Sequence, residues 1–297
     1  MKPKGRRRKM AELLCPKVDF VFKRIFGTEE NRDVLAAFLN AVLKSAPGRE
    51  IAEVEILNPY IDKEALGDKM SVLDVRARIG DGTLVNIEIQ LTNRYDMEKR
   101  TLYYWSRLYS GQLAEGQGYR ELKKTIAINI LDFAYLPGKR YHYVFHLRED
   151  GEPGLVLSED LEIHFLELPK LEQAAYGLED RLVRWLLFIR GVGKERWDEL
   201  ASNEPALRKA MTTLEFLSQD REARMLYEMR QKALRDHISA IEGAREQGRL
   251  EGRERGRLEG RVEVARNMLA MGLDVELIAQ ATGLAREKLE ELKNQTQ

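Results

Sequence analysis

The stretch 69–91, KMSVLDVRARIGDGTLVNIEIQL, contains two apolar-rich segments on either side of a short glycine-bearing loop. In the second segment Glu88 and Gln90 alternate with aliphatic residues, so both polar side chains share one face of a predicted strand. Burial of the aliphatic face selects a three-residue loop, 80–82, because a two-residue loop would mix the two faces. In that register Asp74 lies directly opposite Glu88, and the stretch forms an antiparallel hairpin.

Two carboxylates placed side by side repel each other unless one is protonated or a cation lies between them. Carboxylate oxygens are also the ligands that divalent cations such as Mg²⁺ prefer. The pairing of Asp74 with Glu88 therefore predicts a divalent metal site. Gln90 adds a polar side chain roughly 7 Å further along the same strand.

This hairpin resembles the core of PD-(D/E)XK nucleases, in which an Asp precedes a Glu-x-Lys motif on the next strand. Here the motif is Asp74 followed by Glu88-Ile89-Gln90, so Gln takes the usual position of the Lys. A longer resemblance, over nearly the whole chain, is to the Rpn family of recombination-promoting nucleases, often labelled PD-(D/E)XK family transposases. It is carried by PKVDFVFKRIFG at 16–27, Phe38-Leu39-Asn40, Asp68-Lys69, Arg100 with Tyr103-Tyr104-Trp105, IHFLELPK at 163–170 and the Gly/Glu-rich tail.

The resemblance implies that Asp74 and Glu88 bind Mg²⁺ (or Mn²⁺) directly, with the backbone carbonyl of Ile89 as a third ligand. Such an ion activates a water molecule and stabilises charge on the phosphoryl oxygens. Gln90 has no charge, so it can orient this water but does not lower its pKa. Asp19, on the first predicted helix, is a further candidate acid for holding metal or water.

Three further residues are candidates for contacting the substrate phosphate. Lys23 lies one helical turn after Asp19 and either contacts phosphate or pairs with Asp19. Arg100 and Tyr104 have the same i,i+4 spacing on the helix after the Glu-x-Gln strand, and we expect both to position a phosphate. An ordinary ion pair of Arg100 with Asp96 or Glu98, and a core position for Tyr104, are the structural alternatives.

Hydrophobic periodicity predicts helices over 18–43, interrupted at Gly27-Thr28, and over 96–114. It also predicts strands at 54–57, 125–131, 141–147 and 161–168, and helices throughout from residue 171. The predicted fold class is therefore α/β. It comprises a PD-(D/E)XK restriction-endonuclease-like core, with a mixed sheet flanked by helices, and a C-terminal all-helical extension.

We expect five regions along the chain: a basic disordered N-terminus (1–11), a nuclease-like domain (12–170), a helical subdomain (171–240), a Gly/Glu/Arg-rich helical stalk (241–265) and a C-terminal helical hairpin (266–297). The first ten residues hold six basic groups and no acid, a run that suits a solvated terminus better than a phosphate site. The sequence GRLEGR occurs at 248–253 and again at 256–261. Its glycines each cost a helix about 1 kcal/mol, so either a partner helix packs against them or the segment is a flexible stalk.

The C-terminal hairpin resembles a helix-turn-helix, with Ala279, Gly283 and Leu289 at the small, turn and core positions. Acidic and basic residues alternate on its second helix, whereas phosphate contact needs a basic face. A structural or dimerising hairpin is therefore favoured over a DNA reader.

Composition narrows the class of protein. The formal net charge is zero, so no global field steers the chain to nucleic acid. Cys15 is the single cysteine, which fits a reducing cytoplasm, and neither a signal sequence nor a membrane span is predicted. The four histidines have no tight metal-binding spacing.

Together these features predict a cytoplasmic, Mg²⁺-dependent DNA endonuclease linked to recombination or mobile elements, and a homo-oligomer (dimer) through its C-terminal helices. No Asp-Asp-Glu transposase arrangement is evident, so strand transfer is not expected. The chief alternative is a non-catalytic oligomerising interaction protein on a degenerate nuclease fold, which Gln90 and the neutral charge favour and the Asp74–Glu88 pair opposes. A third reading is a DNA-binding regulator that works through the hairpin.

Overall fold

The computed structural model describes residues 12–58, 60–61, 71–72, 74–93, 96–172 and 177–296. The predicted disordered N-terminus, the Asp68-Lys69 pair and the start of the first hairpin strand at Lys69 lie outside these residues. By its contacts the chain divides into two compact units, Met1–Lys232 and Ala233–Gln297. The finer five-region division stays a prediction.

The described strands of the first unit are β1 (Val54–Leu57), β2 (Tyr60–Ile61), β3 (Ser71–Val72), β4 (Val75–Ile79), β5 (Leu84–Gln90), β6 (Thr125–Leu131), β7 (His142–Arg148) and β8 (Val156–Glu167). Six of them form one sheet in the order β1-β4-β5-β6-β8-β7, and β2 pairs with β3. The β5–β6 and β6–β8 pairs are parallel, whereas β1–β4, β4–β5 and β7–β8 are antiparallel. The predicted mixed sheet is confirmed.

The β4–β5 hairpin has the predicted register. Val75 pairs with Ile87, which places Asp74 opposite Glu88. The loop closes where the Gly82 N–H donates to the Ile79 carbonyl at 2.7 Å. Gly82 adopts φ +91°, a conformation that L side chains rarely reach, so a glycine suits this loop position.

The described helices are α1 (Asp19–Phe26), α2 (Arg32–Leu43), α3 (Met97–Ser110), α4 (Arg181–Arg190), α5 (Trp197–Leu200), α6 (Pro205–Gln219), α7 (Arg221–Ala270), α8 (Val275–Thr282) and α9 (Arg286–Thr296). The predicted break at Gly27-Thr28 is confirmed, although the Thr28 side chain does not cap α2. Helices follow from α4 onward, as predicted, with a break between α6 and α7 at Asp220. Asp220 adopts an extended conformation there, and its carboxylate accepts the Ala223 N–H at 2.7 Å, which starts α7.

Helices cover both faces of the sheet in the first unit. On one face the main core contains Phe22, Phe38 and Trp185 from α1, α2 and α4, all of them fully buried. On the other face Met97, at the start of α3, packs with Phe165 of β8. Because β5 is central, its polar face is buried as well as its aliphatic face, whereas the sequence pattern indicated burial of only one.

In the second unit α8 and α9 meet at Gly283, which has φ +63°. Ile278 and Leu289 are completely buried with Ala265 in a small core, so the predicted helix-turn-helix geometry is present. The glycine-rich repeat lies within α7, as a helix. A Cβ added at Gly248, Gly252, Gly256 or Gly260 would meet no described atom within 4 Å. No described helix has both the length and the apolar character needed to cross a bilayer.

Candidate active site

Two hydrogen bonds between side chain and backbone join Asp74 to Glu88 and to the next residue of β5, Ile89. Asp74 lies in the bend that precedes β4, and Glu88 lies in β5. The Ile89 N–H donates to Asp74 Oδ2 at 2.8 Å, and the Asp74 N–H donates to Glu88 Oε1 at 3.3 Å. These bonds hold the two carboxylates next to each other at the end of the hairpin farthest from its turn.

A positively charged side chain contacts each of these carboxylates. Lys23 Nζ, from α1, lies 3.2 Å from Asp74 Oδ1. Arg100 Nη2, from α3, lies 3.5 Å from Glu88 Oε2, and Gln90 Nε2 donates to the same oxygen at 3.3 Å. Both cations therefore reach the acid pair instead of forming the local ion pairs considered as alternatives.

Burial shifts the protonation of the pair. Glu88 is only 3% exposed. Burial, followed by the negative charge of Asp74, raises the pKa of Glu88 to about 8, and the opposing charge of Arg100 does not cancel this effect. Burial also raises the pKa of Asp74, against the Ile89 N–H bond and the charge of Lys23. The two cations thus compensate the buried negative charge only in part.

The residues present fit a divalent cation with oxygen ligands. A cation bound between Asp74 and Glu88 would remove their repulsion and favour ionised Glu88. The Ile89 N–H points to Asp74, and the N–H and C=O of one strand residue face the same side, so the Ile89 carbonyl faces the same side. The described chain contains no cluster of three or more His, Cys, Asp or Glu residues able to hold a metal. The donor set therefore suits an ion that keeps several water ligands, as Mg²⁺ does.

Asp19 and Tyr104 lie beside the pair but in different settings. Asp19 is one-third exposed, at 35%, and its Oδ2 lies 3.9 Å from Arg230 Nε. Its charge contributes to the raised pKa of Asp74, so it is close without contacting that carboxylate. Tyr104 is 8% exposed, packs with Leu108, and carries the Arg100 guanidinium 5.2 Å from its ring centroid. Its aromatic ring helps to position Arg100.

Sequence reasoning missed two polar groups around the end of β5. Asn129 of β6 pairs in register with Glu88, is buried, and accepts a 2.9 Å hydrogen bond from Thr101 Oγ1. The sequence pattern of β6 did not identify Asn129 as a site residue, because it is a single Asn in a mainly apolar strand.

The second missed group is an ion pair. Lys17 Nζ lies 2.6 Å from Asp132 Oδ2, and the Asp132 N–H donates to the Gln90 carbonyl at 2.9 Å. Lys17 belongs to the PKVDFVFKRIFG segment, so that motif contained the available signal. Asp132 directly follows β6 and brings a further carboxylate to the strand end that carries Gln90.

Comparison with known proteins gives two family matches. The model of the PD-(D/E)XK nuclease family transposase matches residues 16–244. The model of the Rpn/YhgA-like nuclease family, C-terminal HTH domain, matches residues 258–294. Searches of curated proteins and of solved structures gave no significant match.

Proposed function

The chain belongs to the PD-(D/E)XK nuclease family, and from this premise we propose that it is a divalent-metal-dependent endonuclease that hydrolyses phosphodiester bonds in DNA. The observation that carries the proposal is the buried Asp74–Glu88 pair, in which burial, together with the negative charge of Asp74, raises the pKa of Glu88 to about 8. A pair of buried acids that is only partly neutralised suits a cation-binding and catalytic role better than a structural one.

In this proposal Asp74, Glu88 and the Ile89 carbonyl hold Mg²⁺ or Mn²⁺. When bound, the ion supplies an activated water molecule and neutralises developing charge on the phosphoryl oxygens. Gln90, which donates to Glu88 at 3.3 Å, orients that carboxylate and the nearby water. Asp19 adds negative charge beside Asp74 and serves as an outer acid that hydrogen-bonds water.

Lys23 supplies the positive charge that Gln90 lacks. Its ammonium lies 3.2 Å from Asp74 Oδ1, so a cation stands at the acid pair although the Glu-x-Gln motif contains none. There it can stabilise the charged phosphoryl group in the transition state. Arg100, supported by the Tyr104 ring, contacts a second phosphate oxygen from the other side of Glu88.

DNA is the proposed partner of the nuclease domain, and a second copy of the chain is the proposed partner of the C-terminal helices. Charges on α9 are compensated locally: Arg286 pairs with Glu290 at 3.4 Å and with Glu276 of α8 at 2.5 Å, and Lys288 pairs with Glu291 at 2.8 Å. This compensation supports a helix-turn-helix that assembles a homo-oligomer, with sequence reading as a secondary role. A cytoplasmic location and a link to recombination or mobile elements belong to the same proposal.

Cleavage of supercoiled plasmid tests the proposal. Wild type, Asp74→Ala, Glu88→Ala and the control Glu162→Gln are compared with Mg²⁺ and with EDTA. We expect metal-dependent nicking by wild type and Glu162→Gln, and none by the other two variants. Equal nicking by all four proteins would contradict the assigned site. DNA binding without nicking by any of them would instead support the non-catalytic alternative, which the uncharged Gln90 favours.

A further inference from the structure

A second polar cluster lies on the opposite face of the sheet. Asn129 pairs in register with Glu88 and Phe165, whereas its neighbour in β6, Ile128, pairs with His164. Because side chains alternate along a strand, His164 and Glu88 face opposite sides of the sheet. On the His164 side, β7, β8, the end of α2 and the start of α4 enclose a cavity of about 540 Å³.

The acids that line this cavity are fully engaged. Glu162 accepts hydrogen bonds from His164 Nε2 at 2.6 Å and from Lys124 Nζ at 2.5 Å. Burial raises the pKa of Glu162, but the bonds from His164 and Lys124 outweigh it and lower the pKa to about 2. Asp180 accepts the Tyr141 hydroxyl at 2.8 Å and the Leu182 N–H at 2.9 Å. Both carboxylates are thus neutralised or hydrogen-bonded within the protein.

Three histidines line the cavity, and one of them has a buried ring nitrogen without a partner among the described residues. His164 Nε2 lies 2.6 Å from Glu162 Oε1, and its Nδ1 lies 2.9 Å from His142 Nε2, so the three side chains form one hydrogen-bonded chain. Nδ1 of His146, which also lines the cavity, is buried and has no hydrogen-bond partner among the described residues. Such a buried polar atom calls for a ligand or water.

Two positively charged side chains also line the cavity. Lys44, at the end of α2, and Arg140, just before β7, line the cavity, and neither forms an ion pair with a described residue. The Arg140 guanidinium lies 4.7 Å from the centroid of the Tyr143 ring. Burial, His164 and the charges of Lys44 and Arg140 lower the pKa of His142 to about 4, although Asp180 opposes them. The positive potential of the two cations therefore extends to the imidazole.

We propose that this cavity binds a phosphate monoester, with Lys44 and Arg140 holding its anionic oxygens and the imidazoles of His142 and His146 contacting the rest of the group. Phosphate oxygens accept several charge-assisted hydrogen bonds, which matches two cations that form no ion pair with a described residue. The volume of about 540 Å³ exceeds that of a phosphate group and lies in the range of small-ligand sites, so it also accommodates an organic substituent.

Histidine NMR tests the proposal on the full-length chain. Resonances of the imidazole Cε1–H groups are followed during titration with inorganic phosphate, thymidine 5′-monophosphate or thymidine, at constant ionic strength. His142, His146 and His164 line the cavity, whereas His237 belongs to the second unit and is an internal control. The Asp74–Glu88 site contains no described histidine, so phosphate bound there leaves these resonances unchanged.

We expect saturable shifts of His142 and His146 with inorganic phosphate or thymidine 5′-monophosphate, and no shift of His237 or with thymidine. Tighter binding of the mononucleotide than of inorganic phosphate would assign the organic group to the cavity, and equal binding would assign the phosphate alone. Lys44→Gln and Arg140→Gln should each weaken binding by about tenfold, whereas the neighbouring Lys139→Gln should not.

Absence of saturable shifts would overturn the proposal. So would parallel shifts of His237, or affinities that Lys44→Gln and Arg140→Gln leave unchanged. Because no readout here depends on cleavage, failure of this site and failure of the proposed nuclease activity are distinguishable.

Discussion

On the α3 face of the sheet, Glu88 lies against Asp74 and its pKa is raised to about 8. On the other face, Glu162 lies between His164 and Lys124 and its pKa is lowered to about 2. Both carboxylates are largely removed from water and both have cationic neighbours. The difference is the second acid beside Glu88, which leaves negative charge on that face only partly compensated. The cavity on the Glu162 face is instead lined by Lys44 and Arg140, which form no ion pair with a described residue. We infer from this contrast a cation site on one face and an anion site on the other.

The largest expected effect that tests the difference between the two faces is on the free energy of unfolding in the absence of metal. The pKa of Glu88 is raised in the folded protein, so its contribution is complete below pH 4.5 and is lost as pH rises to about 8. Since each unit of pKa corresponds to about 1.4 kcal/mol, this loss is on the order of 5 kcal/mol. Glu88→Gln mimics the protonated carboxyl, so this variant should not lose this free energy of unfolding as pH rises.

Denaturant unfolding in EDTA between pH 4 and 9 measures this effect. Glu162→Gln is the matched control with the opposite sign, because the lowered pKa of Glu162 gives stability that is present above pH 4.5 and lost as pH falls to about 2. We expect Glu88→Gln to exceed wild type in free energy of unfolding only at high pH, and Glu162→Gln to fall below wild type near neutrality. If the free energies of unfolding of wild type and Glu88→Gln changed in parallel with pH, the difference inferred between Glu88 and Glu162 would be wrong.

The next effect concerns Lys23, the lysine that contacts Asp74. Lys23→Gln should lower the rate of DNA cleavage by about 100-fold, because it removes the positive charge beside Asp74. Adding Gln90→Lys to that variant should restore part of the rate by returning a charge to the strand. Lys44→Gln, which removes a lysine from the opposite face, is the control and should cleave normally. Cleavage by Lys23→Gln at the wild-type rate would exclude the proposed role.

A smaller effect is expected at Arg100. Arg100→Gln should raise the KM for DNA by about tenfold and change kcat less. We expect the guanidinium to bind a phosphate equally well in the ground state and in the transition state, so its loss should weaken DNA binding more than it slows the chemical step. Steady-state cleavage of a short duplex measures both constants. Arg107→Gln, on the same helix, is the control variant. A fall in kcat with an unchanged KM would give Arg100 a different role.

The smallest effect is a titration on the opposite face. Because burial, His164 and the nearby cations lower the pKa of His142 to about 4, this imidazole should stay neutral down to about pH 5. An NMR titration that also follows the remaining histidines measures it. A midpoint for His142 near the usual value of about 6.5 would show that the cavity lacks the positive potential inferred from Lys44 and Arg140.

The hairpin register could be predicted because a single slip would have moved Asp74 away from Glu88 and mixed the two faces of the strand. Burial of the polar face of β5 could not, because it depends on α3, which packs there through contacts that periodicity does not reveal. The partners of Lys23 and Arg100 are non-local for the same reason. The histidine chain depends on the β7–β8 register, which carries irregularities after His146 that no local pattern predicts.

Calorimetric titration with Mn²⁺ tests the central claim most directly, using wild type, Asp74→Ala, Glu88→Ala and Glu162→Gln in two buffers of different ionisation enthalpy. At pH 7 Glu88 is mostly protonated, so binding should release a proton. We predict a single class of site with proton release in wild type and Glu162→Gln, and loss of that site in the other two variants. Retention of the site in Asp74→Ala and Glu88→Ala would contradict the account.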